Sequence, residues 1–319
     1  MNAFQKFKTI IEERNSFLIV CHERADGDSI GSLLALGEVL DSLGKQAVLV
    51  SSSGVPPVFR FLKGSDKIKQ DFLLGDFEAV ILVDNGDFHR TGFADRLAVF
   101  HKKRIPLINI DHHPKNDLWR ISTVNYVDTN VSSTCELIYS IITQLGVEIT
   151  PTLATSLLTG IYTDTAGFQH TNTSSSVLEV SSALLRRGAK LKQISANVSN
   201  SRSVTMLKLW GIALSRLSFN HDLGMAYSVL TKDDIESVGA SEDEVSGLVN
   251  LINAIPNSRI ALLLYETKDG RIKGSLRTES DNVDLSRLAN YFGGGGHRRA
   301  SGFSLSGRLR QDAGIWRAV

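Results

Sequence analysis

The sequence is poor in the features that mark special protein classes. It has only two cysteines, Cys21 and Cys135, in 319 residues. Each lies in an apolar, strand-like or helix-like pattern, which suits a small core side chain better than a disulfide or a zinc pair. No apolar run approaches the roughly 20 residues of a membrane helix, so no membrane association is expected. The opening residues, Met1-Asn2-Ala3-Phe4-Gln5-Lys6-Phe7-Lys8, lack the apolar stretch of a secretory signal, and the expected location is cytoplasmic. A charge excess is missing as well: 35 Lys and Arg stand against 34 Asp and Glu, for a net charge of +1. Phosphate contacts supply most of the affinity of long-duplex binders, which therefore carry a basic excess. Long-duplex binding is not expected here, and a nucleic-acid substrate should be short or held by a small local patch. No internal repeat or low-complexity segment stands out.

What is present is a soluble globular composition, 42% hydrophobic and 22% charged, in a chain long enough for two cores. Residues 16–22, 46–50, 79–83 and 107–110 read as strands. They are continuous apolar runs rather than alternating ones, the pattern of strands covered on both faces. Residues 29–43 have helical spacing and end at Gly44. Further helices are expected at 132–145, with Ser133 and Glu136 as a capping box and Gly146 as the stop, from Pro151 behind the N-cap Thr150, and at 174–187 before Gly188. Strands alternating with helices imply a mostly parallel α/β sheet. The polar stretch 190–203 lacks Pro and Gly and reads as a helical linker. Beyond it come a strand at 225–230, an amphipathic helix at 244–255, a hairpin of 259–266 and 271–278 around Lys268-Asp269-Gly270, and a helix at 285–292 that runs into Gly293-Gly294-Gly295-Gly296-His297.

Four apolar segments end in Asp or His. His22-x-x-x-Asp26-Gly27-Asp28 follows the first strand, Asp84 the third, and Asp111-His112-His113-Pro114 the fourth, while Asp164 closes the element 152–163. Ligands of open α/β sheets belong at the carboxyl ends of the strands. Gly27 is expected to allow the tight backbone that two converging carboxylates need. Each acid taken singly is ordinary turn chemistry. Together they would repel one another, and bound cations make such a cluster stable. Carboxylates favour Mg²⁺ or Mn²⁺, and added imidazole tilts the set toward Mn²⁺, with Zn²⁺, Co²⁺ or Fe²⁺ as alternatives. Two metals about 3.5–4 Å apart are the usual device for phosphoester hydrolysis. The glycine run has its own reading: backbone N–H groups unshielded by side chains approach phosphate oxygens closely, and Arg277 and His297 add charged donors. Trp210 lies in a helical pattern with Leu207, Ala213, Leu214 and Leu217 and reads as core. His89-Arg90 could reach a phosphate or cap a loop, and His170 could lie near the site or at the surface.

These segments, in this order, resemble the DHH–DHHA1 phosphoesterases of the RecJ-like superfamily, and within it the short nanoRNase/pAp-phosphatase type. The matching residues are His22-Glu23-Arg24-Ala25-Asp26-Gly27-Asp28-Ser29, Val83-Asp84-Asn85-Gly86-Asp87, Asp111-His112-His113-Pro114, Gly160-Ile161-Tyr162-Thr163-Asp164-Thr165, Gly274-Ser275-Leu276-Arg277 and Gly293 through Gly302. Ala25 stands where relatives often have Pro; it is not a ligand, so the departure touches loop stiffness only. The resemblance implies an α/β fold with a DHH domain at 1–188, a helical linker at 189–215 and a smaller α/β DHHA1 domain at 216–319, the active site lying in the interdomain cleft. It implies two divalent ions, Mn²⁺ first, with Mg²⁺ or Co²⁺ as alternatives. One would be held by His22, Asp26 and Asp84, the second by Asp28, Asp84, His112 and Asp164. Asp111 would orient His112, and His113 would face the scissile phosphate. Ser275, Arg277, Gly294, Gly295, Gly296, His297 and Arg298 would bind substrate, with Arg299 left without a role. The implied reaction is hydrolysis of very short oligonucleotides to 5′-mononucleotides, and of 3′-phosphoadenosine 5′-phosphate (pAp). A homodimer is compatible with it. The alternatives are a cyclic or linear dinucleotide phosphodiesterase, an inorganic pyrophosphatase, and a catalytically silent nucleotide binder.

Overall fold

The structure is a computed structural model, and it describes residues 2–114, 116–198, 203–245, 247–312 and 315–319. The chain divides into two compact units, Met1–Ser201 and Arg202–Val319. The first begins with α1 (Ala3–Glu13), β1 (Ser16–Cys21), α2 (Gly27–Ser42), β2 (Gln46–Val50), β3 (Ala79–Val83), α3 (Ala94–Lys102), β4 (Leu107–Asp111), α4 (Leu118–Ile121) and β5 (Val124–Val127). It continues through α5 (Thr134–Leu145), α6 (Pro151–Asp164), α7 (Ser175–Arg186) and α8 (Leu191–Val198). The strands form one parallel sheet in the order β2-β1-β3-β4-β5. Phe17, Ile19, Cys21, Ile81 and Val83 pack on one face, and Leu18, Val20, Val80 and Leu82 on the other. Burial on both faces is why these strands read as unbroken apolar runs. β5 escapes the sequence reading because only Val124 of its four residues is fully buried.

The capping logic largely holds. Thr150 Oγ1 accepts the Leu153 N–H and Ser133 Oγ the Glu136 N–H. The reciprocal half of the expected capping box shifts by one residue: the Glu136 carboxylate accepts the N–H and O–H of Ser132 at 2.8 and 2.9 Å. The stretch read as a linker is helical on both sides of residues 199–202, which lie outside the described residues. Its first helix, α8, buries Ile194 in the first unit's core.

The second unit consists of α9 (Val204–Ser215), β6 (Ser218–Asn220), β7 (Met225–Leu230), α10 (Lys232–Ser237), α11 (Leu248–Asn253), β8 (Ile260–Glu266), β9 (Arg271–Arg277), α12 (Leu285–Tyr291), β10 (Gly295–His297), β11 (Ala300–Ser306), β12 (Leu309–Asp312) and β13 (Ile315–Ala318). Its main sheet runs β10-β11-β9-β8-β7-β6, and all pairings are antiparallel except β7 with β8. Trp210 is buried in its core, as its spacing suggested. The helix expected at 244–255 is broken. Gly247 takes a left-handed φ of +84° between a single 3-10 turn, Glu242–Val245, and α11. The Glu244 carboxylate is held by Ser203, Thr205 and the Ser241 N–H, which ties that turn to the start of α9.

The site depends on how closely α2 lies on α6. A methyl group at Gly31 would come within 2.5 Å of the Ser156 carbonyl oxygen, which is backbone and cannot yield. Gly31→Ala should therefore cost about 1–3 kcal/mol of stability by overpacking. Gly211, exposed on α9 with nothing within 4 Å of such a methyl, provides the contrast. There the same substitution should stabilise by roughly 0.5–1 kcal/mol through helix propensity. Urea denaturation of both variants checks the opposite signs.

Candidate metal centre

The carboxyl ends of β1, β3 and β4 lie side by side, with Cys21 paired to Val83 and Val83 to Ile110. The next residues, His22, Asp84 and Asp111, therefore emerge at one sheet edge. Asp84 is buried and holds a left-handed φ of +55°, a strained conformation for a residue with a side chain. One of its carboxylate oxygens, Oδ2, accepts the Ser29 hydroxyl at 2.7 Å and lies 3.5 Å from His22 Nε2. The other, Oδ1, lies 3.7 Å from His112 Nε2 and 3.6 Å from His113 Nδ1. Asp84 thus stands between two sets of imidazoles.

Asp26 caps α2, its Oδ1 accepting the N–H groups of Asp28 and Ser29, while Oδ2 lies 3.7 Å from His22 Nε2. Asp28 is fully buried in the first turn of α2. Its carboxylate accepts the Thr134 and Cys135 N–H groups at 2.6 and 2.9 Å, so it faces the positive end of α5. Asp164, the last residue of α6, lies 3.4 Å from His112 Nε2. Gly27 serves a purpose other than the expected backbone freedom: a β-carbon there would meet Thr163 of α6 at 2.4 Å. It keeps two helices close.

Three overlapping groups have donor atoms that all lie within 4.8 Å of one another: His22, Asp26 and Asp84; Asp28, His112 and Asp164; and Asp84, His112 and His113. All six residues expected as ligands are brought together. Imidazole tautomers support a cation. His22 Nδ1 lies 2.6 Å from the Glu23 carbonyl oxygen, so it carries a proton, and Nε2, which faces Asp26 and Asp84, is the atom that would turn a lone pair to a cation in place of its proton.

The electrostatics follow from crowding. Burial, then the charge of Asp26, raises Asp28 to about 6; burial, then the charge of Asp28, does the same for Asp84. Burial and the same carboxylates push Asp164 well up. Burial works against the charged form of His22, yet hydrogen bonds to Asp26 and Asp84 hold it at about 10, and burial likewise fails to prevail at Asp26, which His22 and Ser29 bring down to about 2. His112 is lowered, first by burial. Carboxylates with imidazoles form a hard-to-borderline donor set, and the residues present fit divalent cations.

The triplet divides differently from expectation. Asp111, expected to orient His112, engages His113 instead: its Oδ1 takes His113 Nδ1 at 2.7 Å and the His113 N–H at 3.0 Å, while Oδ2 takes the Gly86 N–H. The hydrogen bond to Asp111 raises His113 above its ordinary value against the effect of burial. Two residues apart on a chain leaving the strand, Asp111 and His113 close a small ring that adjacent residues do not. Local spacing held this signal. Other contributors escaped the reading: the Thr134 and Cys135 N–H groups are far away in sequence and meet Asp28 only through the tertiary fold. His170 is exposed, its Nδ1 3.4 Å from the Asp164 carbonyl oxygen.

In the second unit, His297, Ala300 and Arg277 form one row across β10, β11 and β9, and Gly295, Gly302 and Ser275 form another row two residues away. Directly opposed residues share a sheet face, so these two rows present Arg277, His297, Ser275 and Gly295 together. Arg277 is braced by Asn250 Oδ1 at 3.0 Å and by the Leu276 carbonyl. Gly294 and Gly296 are required by packing: a β-carbon would meet the Gly302 carbonyl oxygen at 2.1 Å or that of Ala300 at 2.7 Å. Arg298 is engaged with the carbonyls of Asp281 and Val283, and Arg299 with Glu279 and Asp281. Neither guanidinium is as available for substrate as the sequence suggested for Arg298.

Comparison with known proteins agrees with this geometry. The family model described as DHH family, N-terminal domain, matches residues 16–161, and that of the DHHA1 domain matches residues 222–313. A Thermus thermophilus protein named bifunctional oligoribonuclease and PAP phosphatase NrnA is 33% identical over 91% of this chain and 84% of its own length. A Bacillus subtilis protein of the same name is 26% identical over 89% of this chain and 87% of its own. Among solved structures, an exopolyphosphatase-related protein from Bacteroides fragilis superposes with a TM-score of 0.85 at 28% identity, covering 94% of this chain and 90% of its own.

The carboxylates predict an inverted pH dependence for chelated protein. An unfolded Asp releases its proton near 3.8, whereas folded Asp28 and Asp84 hold theirs to about 6. Between those values the folded state binds more protons, so stability falls as pH rises, by about 1.4 kcal/mol per pH unit for each extra proton held. His22 acts in the same direction only above 6.5, and the contribution of Asp26 is lost only as pH falls from 3.8 through about 2; His112, lowered by burial, acts oppositely below 6.5 but stands against three raised carboxylates, Asp28, Asp84 and Asp164. In EDTA, the melting temperature should drop between pH 5 and pH 7, and added Mn²⁺ should raise it more at pH 7. A rise in EDTA over that range would contradict the arrangement.

Proposed function

The chain belongs to the DHH family, and from that membership we propose that it is a two-metal phosphohydrolase acting on very short oligoribonucleotides and on pAp. It releases 5′-mononucleotides from the former and AMP from the latter. The observation that carries the proposal is the pair of donor groups, His22, Asp26 and Asp84 beside Asp28, His112 and Asp164, with Asp84 also grouped with His112. One ion would be held by His22, Asp26 and Asp84, the other by Asp28, Asp84, His112 and Asp164, and Mn²⁺ would suit this mixture of carboxylate and imidazole. Such ions supply an activated water and neutralise phosphoryl charge. The chain's own groups do the rest. His113, held by Asp111 and raised by it, keeps a proton to donate toward the phosphoryl or leaving oxygen. In the second unit, Arg277, His297 and the open backbone of Gly295 offer donors suited to a phosphate group. A net charge of +1 accords with a short substrate.

The test is product analysis of 5′-labelled RNA from two to about ten nucleotides, with pAp alongside, in Mn²⁺. Labelled mononucleotide from the shortest oligomers supports the proposal. Intact pApA and pAp, with Asp84→Ala indistinguishable from wild type, reject it. His112→Ala should lose metal occupancy, whereas His113→Ala should keep it and lose roughly 10²–10⁴-fold in turnover. Equal metal loss in both would move His113 into the ligand set.

A second variant isolates the glycine loop. The nearest atom to a β-carbon on Gly295 is Asn290 Oδ1 at 3.8 Å, so Gly295→Ala should fold like wild type. Its methyl group would stand where a phosphate approaches the backbone, and KM for pAp should rise about tenfold or more. An unchanged KM would remove the loop from the substrate site.

A further inference from the structure

Arg90 is a cation beside this site to which the metal and substrate assignments give no task. It follows β3 in the single 3-10 turn His89–Thr91 and is half-buried. The turn is tied to both metal-bearing loops through its backbone. The Arg90 N–H donates to Asp87 Oδ1 at 2.9 Å, and the Arg90 carbonyl accepts the Glu23 N–H at 2.6 Å. The side chain reaches Gly86. A methyl group on that glycine would lie 2.6 Å from Arg90 Nη1 and 3.7 Å from His113 Cδ2. Gly86 also donates its N–H to Asp111, the partner of His113. Arg90, His113 and Asp111 thus border one glycine at the edge of the cluster.

The other guanidiniums named as candidates are engaged with protein oxygens. Arg277 is on Asn250 and Leu276, Arg298 on Asp281 and Val283, and Arg299 on Glu279 and Asp281. Among the described residues, Arg90 forms no ion pair with a carboxylate, although acids crowd the cluster next to it. A half-buried guanidinium at such a place without a carboxylate partner is matched to an anion that offers oxygens to its fork, as a phosphate does.

We propose that Arg90 takes a non-bridging oxygen of the scissile phosphate, next to His113. The assignment rests on the phosphohydrolase reading above and adds to it a residue that receives the phosphoryl group beside His113. Charge develops on those oxygens as the bond to phosphorus forms and breaks, so a fixed cation there acts on turnover as well as on binding.

Arg90→Met and Arg90→Lys test it, since every backbone hydrogen bond of the turn survives both substitutions. In Mn²⁺, Arg90→Met should cut kcat/KM for pApA by roughly 10²-fold. Arg90→Lys should recover only part of the loss, because an ammonium cannot reproduce the fork. Guanidinium ion at millimolar concentration should partly rescue Arg90→Met. Two calorimetric titrations separate contact from scaffolding. Mn²⁺ should bind both variants as it binds wild type, and orthophosphate should bind the Mn²⁺-loaded Arg90→Met protein about tenfold more weakly. Wild-type phosphate affinity in Arg90→Met overturns the proposal, as does a fall in Mn²⁺ affinity parallel to the loss of activity. If wild type cleaves neither pApA nor pAp, the proposed function fails, and the orthophosphate titration still decides the role of Arg90.

Discussion

Mutual repulsion among buried carboxylates is the constraint around which the first unit is arranged. Asp28, Asp84 and Asp164 are brought to one point by three different elements, and burial alone would drive each toward its protonated form. The fold partly opposes that drive by aiming donors at them. The first turn of α5 presents two N–H groups to Asp28, Ser29 presents a hydroxyl to Asp84, and the start of α2 holds Asp26 as its cap. These donors fix where each carboxylate lies without supplying full positive charge. The balance is left for cations, which is why a strand end that looks unfavourable in isolation is a sound place to bind metal.

Close helix packing makes this convergence geometrically feasible. α2 carries Asp28 and α6 carries Asp164, and the two helices approach at Gly27, Gly31 and Gly160. A β-carbon on Gly160 would lie 2.4 Å from Cys135 Sγ and 2.5 Å from Asp28 Oδ1. The glycines are therefore part of the site although none of them touches substrate. Cys135 fills the small space between the helices and is fully buried there, in keeping with a thiol that packs.

Much of this arrangement is legible in the sequence, for identifiable reasons. β1, β3 and β4 are buried on both faces, and unbroken apolar runs report that directly. The acids that follow them stand out because polar groups at such ends need a partner. Less legible is anything decided across long sequence distances or by one residue's backbone. The pairing of Asp28 with the start of α5 spans more than a hundred residues. The break at Gly247 interrupts a segment whose apolar spacing is helical throughout. Arg298 resembles a phosphate ligand by its place after the glycine run, yet the carbonyls of residues 281 and 283 hold its guanidinium.

The histidines show how one device yields opposite chemistry. His22 and His113 are each held at Nδ1 by an oxygen, at 2.6 Å and 2.7 Å. For His22 the oxygen is a neutral carbonyl, which selects the tautomer and stabilises the charged ring less than Asp26 and Asp84 do. Its affinity for a proton comes from Asp26 and Asp84 at Nε2, the same carboxylates that a cation would engage, so metal and proton compete for one place. For His113 the oxygen belongs to the Asp111 carboxylate, which stabilises the charged ring and lies outside the three donor groups. A cation at Asp84 would weaken that preference but leave the Asp111 bond in place. The first imidazole is therefore suited to give a lone pair and the second to keep a proton. The difference is written in the partner of Nδ1, which the identity of the histidine alone does not disclose.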